Sequence, residues 1–315
     1  MSTRLFEKEW TALAVAIALG FGFLAATSPA FLTEFNIYVL LRSFCISLLV
    51  AFSQMTTLAV GQLNVSIGAL GGLVAIAVGG LMEKLGFPVG AALMAGLALG
   101  ALFGFANGML VTRSGIDGFI VTLATASVFD GINLGITKSV PFYNMPASLV
   151  AFGTARFHAL PYLLVPPVLV AVLLATFLAW MPLGRYLLAV GGNAQAAELS
   201  GVPRARILVL AHTLSGLLAA GAAILAVAQL GSAQPTIGSD WLILSFAAPI
   251  VGGAALGGGY VSVLATALAV VLLTLIQDGL VLEQVDPYWV QFLLGGLILA
   301  AVGLDRLRAA RVGGG

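Results

Sequence analysis

The sequence predicts an all-α polytopic membrane protein of about ten transmembrane helices, with eight as the lower limit and both termini in the cytoplasm. Of its 315 residues, 61% are hydrophobic and 8% are charged, and the mean hydropathy is +1.12. A soluble domain carries about a quarter charged residues. Because one helix needs roughly 20 apolar residues to cross a bilayer, we expect residues 1–315 to form a single membrane domain with short connections.

Polar, glycine-rich or proline-rich breaks divide the chain into ten apolar runs. The second and third runs, and the eighth and ninth, are joined by glycine-rich stretches, so each pair is also compatible with one broken helix. The first run follows Arg4 and Lys8 and is interpreted as a spanning helix rather than a signal peptide. The predicted helices lie near residues 11–28, 37–59, 64–82, 88–111, 117–136, 161–181, 206–230, 241–257, 260–282 and 288–304.

The distribution of charge supports cytoplasmic termini, because cytoplasmic connections hold the excess of Lys and Arg in membrane proteins. An odd number of crossings would move the arginine-rich C-terminus to the opposite face, which favours ten or eight helices over nine. The basic residues on the predicted cytoplasmic side are Arg4, Lys8, Arg113, Arg185, Arg204, Arg206, Arg306, Arg308 and Arg311. The acidic residues in or beside predicted outer connections are Glu34, Glu83, Asp240, Glu283 and Asp286.

Glycine recurs every four residues along the fourth predicted helix, at Gly96, Gly100, Gly104 and Gly108. Helices associate in membranes through close packing of such small-residue faces, since lipid tails offer no hydrophobic driving force. We therefore interpret this stripe as a helix-packing surface. A glycine-lined pathway is the alternative.

Residue patterns for catalysis, metal binding and nucleotide binding are missing from the sequence. His158 and His212 are the two histidines, and neither has a Cys or carboxylate at ligand spacing, so no metal site is predicted. No GxxxxGK motif followed by Ser or Thr is present, so we expect the chain to bind no cofactor and no ATP. The scattered basic residues give no reason to expect a nucleic-acid partner. Energy for any transport must come from a partner or a gradient.

Uncharged polar residues inside the predicted spans are candidates for a translocation pathway. Amides and hydroxyls both donate and accept hydrogen bonds, so they replace water around a neutral sugar without the desolvation cost of a full charge. Interhelical hydrogen bonding is the alternative role for each of them. Asp130 and Asp278 are interpreted as solvated, helix-pairing or pathway-lining carboxylates. The candidate pathway residues are Gln54, Gln62, Asn64, Ser66, Asn107, Thr122, Thr125, Asp130 and Asn133.

The predicted cytoplasmic connection from Pro182 to Pro203 is longer than a turn requires. Within it, Asn193 is suited to cap a short helix that runs to about Ser200, and Gly201 is suited to end it. A short helix on the cytoplasmic face is a part that another protein can bind. An ordinary surface loop is the alternative.

This connection resembles the cytoplasmic motif of the ribose-type ABC sugar permeases, in which it carries the coupling helix. The resemblance lies in Gly184-Arg185 and in residues 189–202, AVGGNAQAAELSGV. Three further stretches resemble the same family in the same order, so the resemblance spans nearly the whole chain. They are residues 61–68, GQLNVSIG, residues 118–124, GFIVTLA, and residues 247–259, AAPIVGGAALGGG.

The resemblance implies a permease subunit of a bacterial inner-membrane importer, paired with a second copy or a paralogue. Two cytoplasmic ATPase subunits would use ATP, and a periplasmic sugar-binding protein would deliver the solute, with residues 137–160 taking part in its reception. One departure is Asn64, where the family commonly has Asp, so ribose is not carried over as the substrate. The residues that the resemblance assigns to ATPase coupling are Arg185, Gly191, Gly192, Asn193, Ala196, Ala197, Glu198, Ser200 and Gly201.

Two other functions compete with this one. A stand-alone secondary carrier or facilitator would need to transport solute without an ATPase, and the scarcity of charge within the spans argues against ion coupling. A membrane-embedded enzyme would need a nucleophile, base or metal set within the spans.

Overall fold

The computed structural model describes residues 3–285 and, after them, residues 289, 292, 295, 296, 299 and 303. The predicted helix near 288–304, apart from those residues, and the C-terminal arginines lie outside the described residues. The α-helices of the described part are α1 (Thr3–Thr27), α2 (Glu34–Leu58), α3 (Ile67–Glu83), α4 (Val89–Ser114), α5 (Gly118–Thr137), α6 (Ala147–Thr154), α7 (Val165–Trp180), α8 (Pro182–Gly192), α9 (Ala194–Leu199), α10 (Arg204–Leu230), α11 (Trp241–Val251) and α12 (Val263–Leu282).

The prediction of an all-α polytopic membrane protein is confirmed in its coarse form. Six helices of the described chain are long and apolar enough to cross a membrane, namely α2, α4, α5, α10, α12 and the stretch Tyr162–Trp180 that includes α7. The apolar stretch Thr11–Thr27 of α1, together with α3 and α11, is shorter. The total of about ten crossings and the cytoplasmic location of both termini remain predictions.

Both glycine-rich junctions separate two helices, as the division into ten runs predicted. The first helix of the first pair, α2, ends at Leu58, and α3 begins at Ile67. We call residues 59–66, which lie between them, the helix break. The second pair is separated by residues 252–262, because Pro249 lies near the end of α11 and Gly253 adopts a φ of +82°. The predicted helix 241–257 is therefore shorter than expected.

The central helix is α10, which is buried along most of its length and packs against α4, α2 and α3. The glycine stripe of α4 provides its main contact. A Cβ on Gly100 or Gly104 would overlap the backbone of α10 at Gly216 or His212, and a Cβ on Gly108 would lie 2.6 Å from Cα of Val209. The packing interpretation of the stripe is confirmed, and it explains how the two backbones approach so closely.

The connection from α10 to α11 enters the bundle instead of forming the outer loop that the sequence suggested. Ala233 lies against Gly79 of α3, whereas Gly238 lies against Gly68, near the other end of the same helix. These two glycines are separated by about 16 Å at 1.5 Å per residue. We call residues 231–240 the re-entrant segment. The placement of Asp240 beside an outer connection was wrong. Asp240 is the last residue of the segment and lies at the end where Gly238 meets Gly68.

The predicted outer connection, residues 137–160, is folded. It contains α6 and a two-stranded hairpin of β1 (Arg156–Phe157) and β2 (Leu160–Pro161). Phe142 and Ala233 exchange two backbone hydrogen bonds of 2.9 Å, which tie this connection to the re-entrant segment. The hydroxyl of Tyr38 donates to the carbonyl of Thr154 at 3.0 Å. The connection is therefore anchored at two points over the ends of α2 and α10.

The contact of α4 with α10 predicts a position-specific effect of alanine. Gly104→Ala forces a methyl group into the backbone of α10, and we expect it to lower the free energy of unfolding by about 1–3 kcal/mol. Gly90→Ala on the same helix meets no atom within 4 Å and is the matched control. Thermal unfolding of both variants in detergent measures the difference. Equal melting temperatures would contradict this packing.

Candidate functional site

The helix break is the centre of the candidate site, because its backbone leaves helical geometry inside a membrane protein. Backbone groups at that depth must find partners within the protein. The first turn of the break supplies some of them: Gly61 N–H donates to the carbonyl of Leu58 at 2.9 Å, and Gln62 N–H donates to that of Thr57 at 3.0 Å. The remaining groups depend on side chains from four other helices.

Asn64 organises the buried side of the break. Its Nδ2 donates to Oγ of Ser215 on α10 at 2.9 Å, and its Oδ1 accepts from N–H and Oγ–H of Ser66 at 3.0 and 2.8 Å. With its amide oriented by this network, Gln54 of α2 donates to the carbonyl of Asn64 at 2.9 Å and accepts from its N–H at 3.2 Å. Asn107 of α4 donates to Oγ of Ser66 at 2.8 Å. Side chains of α2, α4 and α10 thus hold one short segment.

The opposite side of the break is held by the first turns of α5. Gly118 N–H donates to Oε1 of Gln62 at 3.0 Å, and Val65 N–H donates to Oγ1 of Thr122 at 3.0 Å. Asp117 caps the helix, as predicted, by accepting from Phe119 N–H at 2.8 Å. Movement of α5 relative to the break would therefore break two hydrogen bonds.

Glycines make the third contact of the break. Gly258 and Gly259 adopt φ values of +88° and +85°, and Gly259 N–H donates to the carbonyl of Ala59 at 3.0 Å. A Cβ on Gly258 would overlap Gly61 and lie 2.9 Å from Cα of Gly191, and one on Gly259 would lie 2.6 Å from Cα of Gly192. We call this contact of residues 59–61, 191–192 and 257–259 the glycine junction. It requires both the left-handed backbone and the missing side chains.

All four sequence stretches that resemble the sugar permeases therefore meet at the helix break. Residues 61–68 form most of it, residues 118–124 hold one side, and residues 189–202 and 247–259 reach it through the glycine junction. These stretches are far apart in the chain but meet in one contact region. Their shared role in this contact is a physical reason for their resemblance to the sugar permeases.

The glycine junction leads directly to α8 and α9. The predicted short helix is present as α9: Asn193 caps it by accepting from Ala196 N–H at 2.9 Å, and Gly201 ends it with a φ of +84°. The sequence did not predict α8, which makes residues 182–192 helical as well. Ala197 is buried in a hydrophobic cluster that also includes Val60 of the helix break, so one cluster joins α9 and the break.

The outward side of α9 is accessible. Leu199 is 84% exposed, the largest exposed fraction among the large hydrophobic side chains of the described residues. Of the residues assigned to coupling, Asn193, Ala196, Glu198, Ser200 and Gly201 are also exposed, as are Arg185 and Gly192, whereas Ala197 is buried and Gly191 is half-buried. The sequence interpretation did not include Leu199 among the coupling residues.

A polar cavity of about 520 Å³ lies beside α9, between its residue Glu198, the start of α10 and the connection from α4 to α5. Charged residues from three elements line it: Asp117 before α5, Glu198 on α9 and Arg204 at the start of α10. Gln62 of the helix break also reaches it. The space between the surface helix and the break is thus open enough for α9 to shift.

The candidate pathway residues divide into buried and accessible groups. The buried group is Gln54, Asn64, Ser66, Asn107, Thr122 and Asn133. Asn133 donates to the carbonyl of Pro235 at 2.9 Å, so it holds the re-entrant segment, while the other five belong to the network around the break. Gln62 and Thr125 are half-buried, and Asp130 is exposed on α5. The structure thus shows an interhelical hydrogen-bonding role for the buried group, and a pathway role for these residues remains a prediction.

Two members of the network were not predicted. Ser53 Oγ–H donates to the carbonyl of Ser215 at 2.8 Å, and both serines are fully buried. Ser53 precedes the candidate Gln54, and the polar run at residues 53–57 in an otherwise apolar helix was a signal for it. Outside this network, Asp278 accepts from Nδ2 of Asn36 at 2.8 Å, in agreement with the helix-pairing interpretation of that carboxylate.

The glycine junction predicts a large difference between neighbouring residues. Gly258→Ala introduces a methyl group where Gly61 and Gly191 approach and strains a φ of +88°, so we expect a melting temperature several degrees lower in detergent. Gly257→Ala, next to it, meets no atom within 4 Å and is the control. If Gly258→Ala melts like Gly257→Ala, the junction is not as tight as described.

Comparisons with known proteins agree with this geometry. The chain is 35% identical to the ribose import permease protein of Bacillus subtilis, over 90% of this chain and 88% of that protein. It is 32% identical to the D-allose transport system permease protein of Escherichia coli, over 94% and 90% respectively. It is also 32% identical to the fructose import permease protein of Rhizobium meliloti, over 88% and 79%. No solved structure was found to match the chain.

A family model described as the permease component of the branched-chain amino acid transport system matches residues 30–302. The match includes the helix break, the glycine junction and α9. The chain therefore belongs to this family of transport-system permeases.

Proposed function

We propose that this protein is the membrane-spanning permease of an ATP-driven importer for a sugar or sugar-like polyol, and that α9 transmits the action of a separate ATPase to the helix break. The relatives at 32–35% identity are named for ribose, D-allose and fructose. The family description names branched-chain amino acids. The three relatives named for sugars each match about nine-tenths of this chain, and we therefore propose a sugar rather than an amino acid as its solute.

Members of the family are transport permeases, so the chain is a multi-pass inner-membrane transport component and not an enzyme. The sequence has no GxxxxGK motif, so ATP would be used by a partner subunit. The stand-alone carrier is not favoured by relatives that are import-system permeases.

The observation that carries the coupling proposal is the two-sided packing of α9. Its outward side presents Leu199, which a partner would bury, and its inward side places Ala197 against Val60. A partner that grips Leu199 and moves α9 would push on the helix break through Ala197 and through the glycine junction. The cavity between Glu198 and Arg204 gives α9 room for this shift.

Two further partners are part of the proposal. A second copy or a paralogue would pair with this chain, and the exposed side of α5 supports this because Gly131 and Gly135 meet no atom within 4 Å. A periplasmic sugar-binding protein would dock on the connection of residues 137–160. Exposed Tyr143 and Phe157 there are suitable contacts, since aromatic side chains are enriched at protein interfaces.

The coupling proposal predicts different outcomes for two neighbouring residues. In the importer reconstituted with its ATPase, we expect Leu199→Asp to lower ATP-driven sugar uptake by about tenfold or more, because the change places an unpaired charge in the proposed contact with the partner. The melting temperature of the permease alone should not change, since Leu199 is 84% exposed. Ala197→Glu should instead destabilise the permease itself, because that side chain is buried.

Leu85→Asp, a change at an exposed leucine in the connection between α3 and α4, is the control for a surface leucine-to-aspartate change. Full uptake by Leu199→Asp would remove α9 from the coupling contact. Sugar uptake by vesicles that contain this chain without an ATPase would contradict the proposed function as a whole and favour a stand-alone carrier.

A further inference from the structure

A second cavity, of about 210 Å³, lies between α2, α10, the re-entrant segment and the start of α11. This volume is far above the roughly 15 Å³ that one water requires. Five side chains with hydrogen-bonding or aromatic groups line it, and none of them belongs to the candidate pathway residues. They are Gln229, Gln234, Thr236, Asp240 and Trp241.

The cavity opens at the surface of the bundle and follows the re-entrant segment along α3. Gln229 is near the end of α10, at the level where Ala233 meets Gly79. Trp241, at the other end of the cavity, lies against Gly71 of α3, five residues after Ser66 of the helix break. The cavity therefore leads from the end of α10 towards the level of the break.

The walls of the cavity are held in place from several directions. Asn133 donates to the carbonyl of Pro235, and Phe142 pairs with Ala233. Gly68 and Gly238 are in backbone contact. These contacts fix the re-entrant segment, whose residues 235–240 form turns, so the polar side chains on it are positioned without a ligand.

Two polar groups in the cavity call for a partner. Oε1 of Gln229 is buried and accepts no hydrogen bond from any described residue. Asp240 is exposed, and it lies two residues after Gly238, which contacts Gly68 near the start of α3. An ionisable residue at membrane depth faces a water-filled space or a ligand, because contact with lipid is costly. Both groups are explained by a polar solute that passes through this space.

We propose that this cavity is a solute-binding site for a neutral monosaccharide, formed by Gln229, Gln234, Thr236, Asp240 and Trp241. This inference rests on the proposed function, whose substrate site it names. A carboxylate, two amides and a hydroxyl match the donors and acceptors of a polyhydroxylated ring, and the indole offers an apolar surface for its C–H groups. Such a combination of apolar wall and few convergent polar groups is typical of ligand pockets.

The charge of the cavity selects among solutes. Asp240 lines it, and the Arg42 guanidinium donates to the carbonyl of the lining residue Gln229. A carboxylate accepts hydrogen bonds from hydroxyl groups and repels the phosphate of a sugar phosphate. The carboxylate of Asp240 is thus suited to the hydroxyl groups of a neutral sugar.

The test uses the importer assembled with its ATPase and sugar-binding protein in vesicles, with D-ribose, D-allose and D-fructose as probes. We expect Gln229→Leu and Asp240→Asn each to lower the maximal uptake rate by about tenfold, the effect of one lost hydrogen bond to a polar or charged group. Glu34→Gln, a carboxylate-to-amide change at the exposed start of α2, is the matched control and should stay within about twofold.

Direct binding gives a second readout that does not depend on coupling. Saturation-transfer NMR on the detergent-solubilised permease should detect transfer to the sugar that the importer transports. This saturation transfer should be lost in Gln229→Leu and in Thr236→Val. Because the side chain of Thr236 is exposed, the second change is not expected to disturb folding. Transfer to L-leucine and not to a sugar would overturn the assignment of the solute class.

The outcomes separate this inference from the proposed function. Absence of ATP-dependent uptake of any probe by the unmodified importer would count against the sugar-import function itself. Normal uptake by both Gln229→Leu and Asp240→Asn in an active importer would overturn the binding site and leave the function standing.

Discussion

The structure depends on one constraint: a chain that leaves helical geometry within a membrane protein must hydrogen-bond its backbone to other parts of the protein. Residues 59–66 meet this constraint through Gln54, Asn64 and Thr122, and through the backbone of Gly259. Each of these partners lies on a different element or on the break itself. The break therefore positions α2, α5, α10 and the residues that follow α11 relative to one another.

This arrangement suggests how a small movement at the surface reaches the interior. Helix α9 shares a hydrophobic cluster with the break through Ala197, and α8, which precedes it, contacts the break at the glycine junction. The break contacts α5 through Gln62 and Thr122. Backbone contacts at glycines leave little space to absorb a displacement, since no flexible side chain lies between the two backbones. The proposed solute cavity begins one to two turns of α3 beyond the break, so it lies within reach of the same movement.

Much of the fold was predictable from the sequence, because hydropathy and glycine spacing report directly on membrane burial and close packing. The separation of α2 from α3, the packing role of the α4 glycines and the Asn193 cap were all predicted and are confirmed. The inward course of residues 231–240 was not predictable from local pattern. Its polar residues resemble a surface loop, and its depth is set by contacts with Gly68, Gly72 and Gly79, 154 or more residues earlier in the chain.

The candidate site was predicted less completely. Of the polar residues chosen as pathway candidates, Gln54, Gln62, Asn64 and Ser66 lie at the break or bond to it, but the buried ones use their hydrogen bonds to support the break. Asn133 instead bonds to the re-entrant segment. The sequence did not distinguish a polar side chain that hydrogen-bonds to a backbone group from one that faces a cavity. Leu199 and Gln229 were missed because exposure of a leucine and isolation of an amide are properties of the folded chain.

Backbone hydrogen exchange in the assembled importer, with and without ATP, tests the central claim most directly. If α9 acts on the helix break, the amides of residues 194–199 and of residues 59–66 will change their protection together when ATP binds the ATPase. A change confined to residues 194–199, with the amides of residues 59–66 equally protected in both states, would contradict the account.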